Sequence, residues 1–175
     1  MNTTVPIMSS DEERFMAFSG LVQWTQGVVL QSKRVINVAE QLKDRNFFYR
    51  SIYSMHCEHH YFVIAAYKLI EHREWIKKFG LCSNVDFSEI DEFSVQDIKD
   101  LRNMREHVVE YFQGNGRTKS RWFVETPAYK ADASSSVGTM IGGRLDYIKF
   151  ANAAERLLCN LEREQFPYPP HALNV

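Results

Sequence analysis

The sequence predicts an all-α fold: a four-helix bundle with a short β-hairpin inserted between helices three and four. Three observations predict it. Apolar residues recur at three- and four-residue steps through four segments. Serines stand at helix starts, and glycines or prolines stand at the stops. Between the third and fourth segments the texture changes to β-branched and aromatic residues set among Gly, Ser and Pro.

The first helix is expected over 10–44. Ser9 precedes Glu12, and Ser10 precedes Glu13, by the three residues of a capping box. Phe18, Leu21, Val28, Val35, Ala39 and Leu42 then form a stripe, with Thr25 and Ser32 filling its remaining steps. "KDRN" at 43–46 is a polar break. The second helix is expected over 46–79, stopping at Gly80. Its stripe is Phe48, Ile52, Met55, His59, Phe62, Ala66, Leu69 and Ile76.

"GLCSNVDFSEIDEF" reads as a connector with a short turn. Ser94, with Asp97 three residues on, opens a third helix that should run to about Gln113 and end at "GNG", 114–116. Residues 117–145 carry "SRWFVET" and "SSSVGTMIGGRL", read as two short strands of one hairpin. The fourth helix, 146–164, places Tyr147, Ala151, Ala154, Leu158 and Leu161 on one face. Pro167, Pro169 and Pro170 stop any helix in the tail, 166–175.

A chain of 175 residues makes one domain large enough to bury a core without staples. Its formal net charge is −1, so no overall field draws in nucleic acid, and a polyanion would need a local basic patch. Three widely spaced cysteines suit a reducing cytoplasm better than a disulfide framework. The opening residues do not read as a signal peptide. "YFVIAAY", 61–67, is too short an apolar run to span a bilayer, so no membrane role is expected.

"RSIYSMHCEHHYFV" gathers three of the six histidines. His56 and His60 share a helical face at a spacing that suits two metal ligands. A bundle metal site draws ligands from neighbouring helices as well. The first and fourth predicted helices carry no histidine, and the third carries His107 alone. His59 falls on the apolar stripe and reads as a core residue, His72 as a surface one. No metal and no cofactor is expected. The glycines of "SVGTMIGG" match neither phosphate-binding glycine pattern.

The third helix has Leu101, Met104, Val108 and Phe112 on its apolar face. Asn103, His107 and Tyr111 lie along the edge of that face, while Arg102, Arg105 and Glu106 fall elsewhere around the helix. Histidine exchanges protons near neutral pH. Arginine grips phosphate with paired hydrogen bonds. Together they suffice for RNA cleavage without metal, in which a 2′-hydroxyl attacks phosphorus and arginine stabilises the gathering charge.

"RNMREH" is an Arg-x4-His match with Asn directly after the Arg, on the third helix of a predicted bundle. In this it resembles the HEPN superfamily, whose signature is Arg-x4-6-His with a polar residue often following the Arg. The resemblance covers most of the chain. It implies a metal-independent endoribonuclease of toxin–antitoxin, phage-defence or RNA-processing systems. It also implies a homodimer in which the motifs of two subunits meet in one cleft, RNA as substrate and an antitoxin-like protein as partner. Arg102 and His107 would be the catalytic pair, and Asn103 would orient the phosphate or the histidine.

The sequence departs from the pattern at Val109, where nuclease toxins of the family often have Tyr; Tyr111 comes two residues later. Arg102 and His107 point about 140° apart on an ideal helix. Twelve arginines and six histidines make roughly one such match by chance. Arg50 to His56 is a second match, early in helix two and outside the expected context.

A basic stretch follows, with Arg117, Lys119 and Arg121 before Trp122 and Phe123. With Arg105, these cations would hold a phosphodiester backbone, and the aromatics would stack a base. The same residues also fit a solvated turn whose aromatics cover the bundle. A second functional class therefore stands beside the ribonuclease: a non-catalytic dimeric bundle for protein interaction or nucleotide binding. In that class Arg102 pairs with Glu106 and His107 serves a helix–helix contact.

Overall fold

Two helices, α1 (Ser10–Gln41) and α2 (Phe48–Lys78), are joined by a short polar connection and run antiparallel. Gly20 meets His72 toward one end of the pair, and Gln31 donates to the Glu58 carbonyl at 3.1 Å toward the other. These positions come from a computed structural model that describes residues 10–163. The capping role of Ser9 and the Pro-rich tail of 166–175 lie outside the described residues.

After α2 come α3 (Ser88–Asp91), α4 (Val95–Glu106), α5 (Val108–Phe112) and a 3-10 turn at Lys119–Arg121. Strands β1 (Phe123–Glu125) and β2 (Lys130–Asp132) form one antiparallel pair. Strands β3 (Ser136–Val137), β4 (Met140–Ile141) and β5 (Leu145–Asp146) form a three-stranded antiparallel sheet, and α6 (Tyr147–Leu161) follows. The described chain is thus mostly helical, with small antiparallel sheets ahead of its last helix.

The middle of each expected stripe lies in the core. Leu21, Val28 and Val35 of α1 are fully buried, as are Phe62, Ala66, Leu69 and Ile76 of α2. Thr25 and Ser32 fit the stripe because each hydroxyl donates to a carbonyl of its own helix, Leu21 and Val29, at 2.7 and 2.8 Å. The helix α6 lies against α1, and α4 lies against α2. Phe62 packs edge-on to Phe150 at 6.3 Å, and Phe93 packs on Phe150 at 4.8 Å. Burying one such ring stabilises the fold by about 2 kcal/mol.

The ends follow local chemistry. Ser94 Oγ accepts from the Asp97 N–H at 3.2 Å, as a helix start requires. Gly80 stops α2 with a positive φ of 61°; its N–H reaches the Lys77 carbonyl, and that of Leu81 reaches Ile76. Asp146 caps α6 by accepting from the N–H groups of Ile148 and Lys149.

Several expectations are corrected. The helix expected over 94–113 breaks at His107, whose φ of −107° and ψ of 29° separate α4 from α5. The single hairpin is five strands in two sheets, because positive-φ Gly138, Gly142 and Gly143 turn the chain twice more. Phe48, Ile52 and Phe112, assigned to apolar stripes, are exposed. His72, read as a surface residue, is half-buried over Gly20. Among the described residues no helix is long and apolar enough to cross a membrane.

Candidate functional site

His107 occupies the break between α4 and α5, where its side chain is 54% exposed. Its Nδ1–H donates to Glu110 Oε1 at 3.0 Å. That bond fixes the ring and leaves Nε2 as the working nitrogen. The imidazole lines a groove of about 310 Å³ together with Asn103, Glu110, Tyr111, Arg117 and Asp100. Asp100 is buried at its floor, where Oδ1 accepts from Gln96 at 2.7 Å and Oδ2 pairs with Arg121 at 2.8 Å.

Arg102 lies on the other side of α4. Its Nη2 pairs with Glu106 at 2.8 Å, and its guanidinium sits 5.4 Å from the centre of the Tyr67 ring. Its Nη1 donates to Asn103 Oδ1 at 2.9 Å. The sequence-predicted trio is therefore joined through Asn103, which bonds Arg102 and shares the groove of His107. Arg102 itself does not line that groove.

The cations expected to hold a backbone divide. Arg117 lines the His107 groove and is exposed, and Lys119 is exposed. Arg121 is committed to Asp97 and Asp100. Arg105 is corrected outright, since it is only 9% exposed. Its Nη1 donates to the carbonyls of Ala133 and Ser134 at 2.9 and 3.0 Å, and its Nη2 to that of His56 at 3.1 Å. Burial lowers its pKa to about 10, which leaves it charged at neutral pH. Its position was legible: four residues after Leu101 and next to Met104, it lies on the core stripe.

Tyr111 is locked in place. Its ring stacks on Trp122 at 5.0 Å, and its hydroxyl shares a hydrogen bond of 2.6 Å with Thr118. Trp122 is buried beneath it, so that aromatic covers the fold, while Phe123 is exposed.

Of the histidine cluster, His59 is buried against Tyr147, with ring centres 5.8 Å apart. Its Nε2 has no hydrogen-bond partner among the described residues. Burial, with Arg105 and His56 adding to it, lowers its pKa to about 4. His60 is half-buried, and burial, with Arg105 and Arg102 adding to it, lowers its pKa against an opposing effect of Glu106. No three His, Cys, Asp or Glu residues among those described form a group able to hold a metal.

Comparison with family models, with curated proteins and with solved structures gave no match. Glu110 and Tyr67 are the partners that sequence reasoning gave no role. Glu110 was findable from its i,i+3 spacing to His107, whereas Tyr67 is on another helix and had no such signal. Chemically, the groove offers an oriented imidazole, a carboxamide and one exposed guanidinium, and its two carboxylates, Asp100 and Glu110, are engaged by Arg121 and His107; the set suits proton transfer.

Proposed function

We propose that this protein is a metal-independent endoribonuclease of the HEPN type, with a toxin, phage-defence or RNA-processing role. The supporting observation is the placement of His107 at a helix break, with its Nδ1 bonded to Glu110 in a groove that also holds Asn103 and Arg117. In this reading Nε2 of His107 takes the proton of a ribose 2′-hydroxyl. The 2′-oxygen attacks phosphorus, the P–O5′ bond breaks, the 5′-oxygen takes a proton from solvent and leaves as a hydroxyl, and a 2′,3′-cyclic phosphate remains. Asn103 orients the phosphate, and Arg102 balances its charge.

Here α1, α2, α4 with α5, and α6 are the four helices of the bundle, and the strands are an insertion. Because Arg102 and His107 lie on different sides of α4, a two-fold pairing of chains completes the site by setting Arg102 of one protomer against the partner's His107. The protein then works as a cytoplasmic homodimer restrained by an antitoxin-like protein.

The test is incubation of purified protein with total RNA in excess chelator, beside His107→Ala and Arg102→Ala. Cleavage by the parent, reduced at least about 100-fold in either variant, supports the reading. Equal cleavage by all three overturns the assignment of these residues.

A second reading is a non-catalytic interaction module. It is favoured by the Arg102–Glu106 ion pair and by Tyr49 and Tyr53, which are 79% and 72% exposed on α2. No cleavage by the parent, together with self-association that weakens in Tyr49→Ser/Tyr53→Ser, would select it.

A further inference from the structure

A second groove, of about 290 Å³, lies across α4 from the first. The helix α2 gives it His56, His60 and Tyr61; Arg105 and Val108 form the facing wall, and Ser134, between β2 and β3, closes one end. One guanidinium ties these walls together, since Arg105 bonds the carbonyls of His56, Ala133 and Ser134. The groove is therefore pre-organised, and a ligand need not order it.

Its chemistry is that of a planar, uncharged ring. The Tyr61 ring is 57% exposed and stands 5.9 Å from that of His60 at an angle of 58°, which makes an open aromatic corner. Burial and the two arginines keep His60 neutral, so its ring has one N–H and one bare nitrogen, a donor and an acceptor for a base edge. No carboxylate lines the groove. Arg105 is engaged by the backbone carbonyls, so the guanidinium left to meet a phosphate is that of Arg102, which shares its charge with Glu106. The volume is at the small end for ligand sites, near 300 Å³, which suits one ring system. Unpaired RNA bases bind to proteins by stacking on such side chains and by hydrogen bonds to their edges.

We infer that this groove is a base-binding subsite for single-stranded RNA, in which one unpaired base stacks on Tyr61 and meets His60 and Ser134, with its phosphate directed toward Arg102. The inference rests on the ribonuclease reading for its substrate, and it adds a recognition element outside the Arg102–His107 motif. His56 and His60, rather than ligating a metal, then select the base next to the cut.

The probe is a short single-stranded oligoribonucleotide with a 2′-O-methyl backbone and one 2-aminopurine, which cannot be cleaved by 2′-hydroxyl attack. Stacking quenches its fluorescence. The parent should quench it, Tyr61→Phe should keep that binding, and Tyr61→Ala should weaken it roughly tenfold. Tyr61 is on the surface, so the variant tests binding rather than folding. Binding unchanged in Tyr61→Ala overturns the subsite, whatever the cleavage assay shows. Tyr61-dependent binding without RNA cleavage overturns the ribonuclease reading and leaves the subsite standing. Failure of the parent to bind the probe overturns the subsite, and Tyr61-dependent self-association by sedimentation would then make this face a protein interface.

Discussion

Arg102 donates to Asn103 Oδ1 at 2.9 Å, and Asn103 lines the groove of His107, so one carboxamide connects the two sides of α4. In the ribonuclease reading this connection aligns phosphate with base. Asn103→Ala is expected to lower the cleavage rate roughly 100-fold, the usual cost of losing one preorganised polar group. Asn103→Asp should lose as much, because its carboxylate keeps Arg102 but repels phosphate. Rates on a fluorogenic oligoribonucleotide check this; an Ala variant as fast as the parent would remove Asn103 from the site.

Glu110 is expected to act only through His107, whose Nδ1–H it accepts at 3.0 Å. Glu110→Gln still offers an oxygen to that N–H, so the ring stays oriented and only charge stabilisation of the imidazolium is lost. A fall of about tenfold in kcat with KM unchanged is expected, smaller than for His107→Ala. A KM effect alone would mark Glu110 as a substrate contact.

The helices were legible because burial follows period: Leu21, Val28 and Val35 are where three- and four-residue steps put them. The break at His107 was not. No Gly or Pro stands there, and Leu101, Met104, Val108 and Phe112 continue the stripe across it. The outward turn of Phe112 accompanies the break. The residue types of the candidate groove were legible in the stretch 102–107, but the partners were not, since Tyr67, which meets Arg102, and the carbonyls of His56 and Ala133, which hold Arg105, come from elements distant in sequence. Arg105 was misread because only apolar residues were counted on the stripe it shares.

Arg105→Lys tests the role of that guanidinium. Three hydrogen bonds to carbonyls, one of them 49 residues away in sequence, hold α4 to α2 and to the β2–β3 turn. An ammonium is compact and cannot span the same three acceptors. Losing two of the bonds in a buried setting should cost about 3 kcal/mol. Thermal unfolding should then fall by roughly 6–12 °C for a chain of this size. A melting temperature within about 2 °C of the parent would show that the bonds are dispensable.

His59 makes the fold sensitive to acid. Its pKa is about 4 in the folded protein, chiefly through burial, against 6.5 when unfolded. Between those values the unfolded chain binds a proton that the folded chain does not, so stability falls as pH drops from about 6.5 toward 4. The full contribution is about 3 kcal/mol. Carboxylates titrate in the same range, so the informative quantity is a difference. His59→Leu should flatten the loss between pH 6.5 and 4 relative to the parent in denaturant unfolding. Parallel stability curves would refute the assignment.

Gly20 sits where α1 crosses His72. A Cβ there would overlap both Cδ2 and Nε2 of the imidazole. The ring is not free to swing away, because its Nδ1–H donates to the Lys68 carbonyl at 2.9 Å and it packs beside Trp75. Gly20→Ala should therefore destabilise the protein by about 2 kcal/mol through overpacking, although Ala is the better helix former. The sign should reverse once the ring is removed. On a His72→Ala background, Gly20→Ala should stabilise by up to about 1 kcal/mol, the intrinsic helix preference alone. Four unfolding curves close this double-mutant cycle. The same effect of Gly20→Ala on both backgrounds would show that the two residues do not limit the approach of α1 to α2.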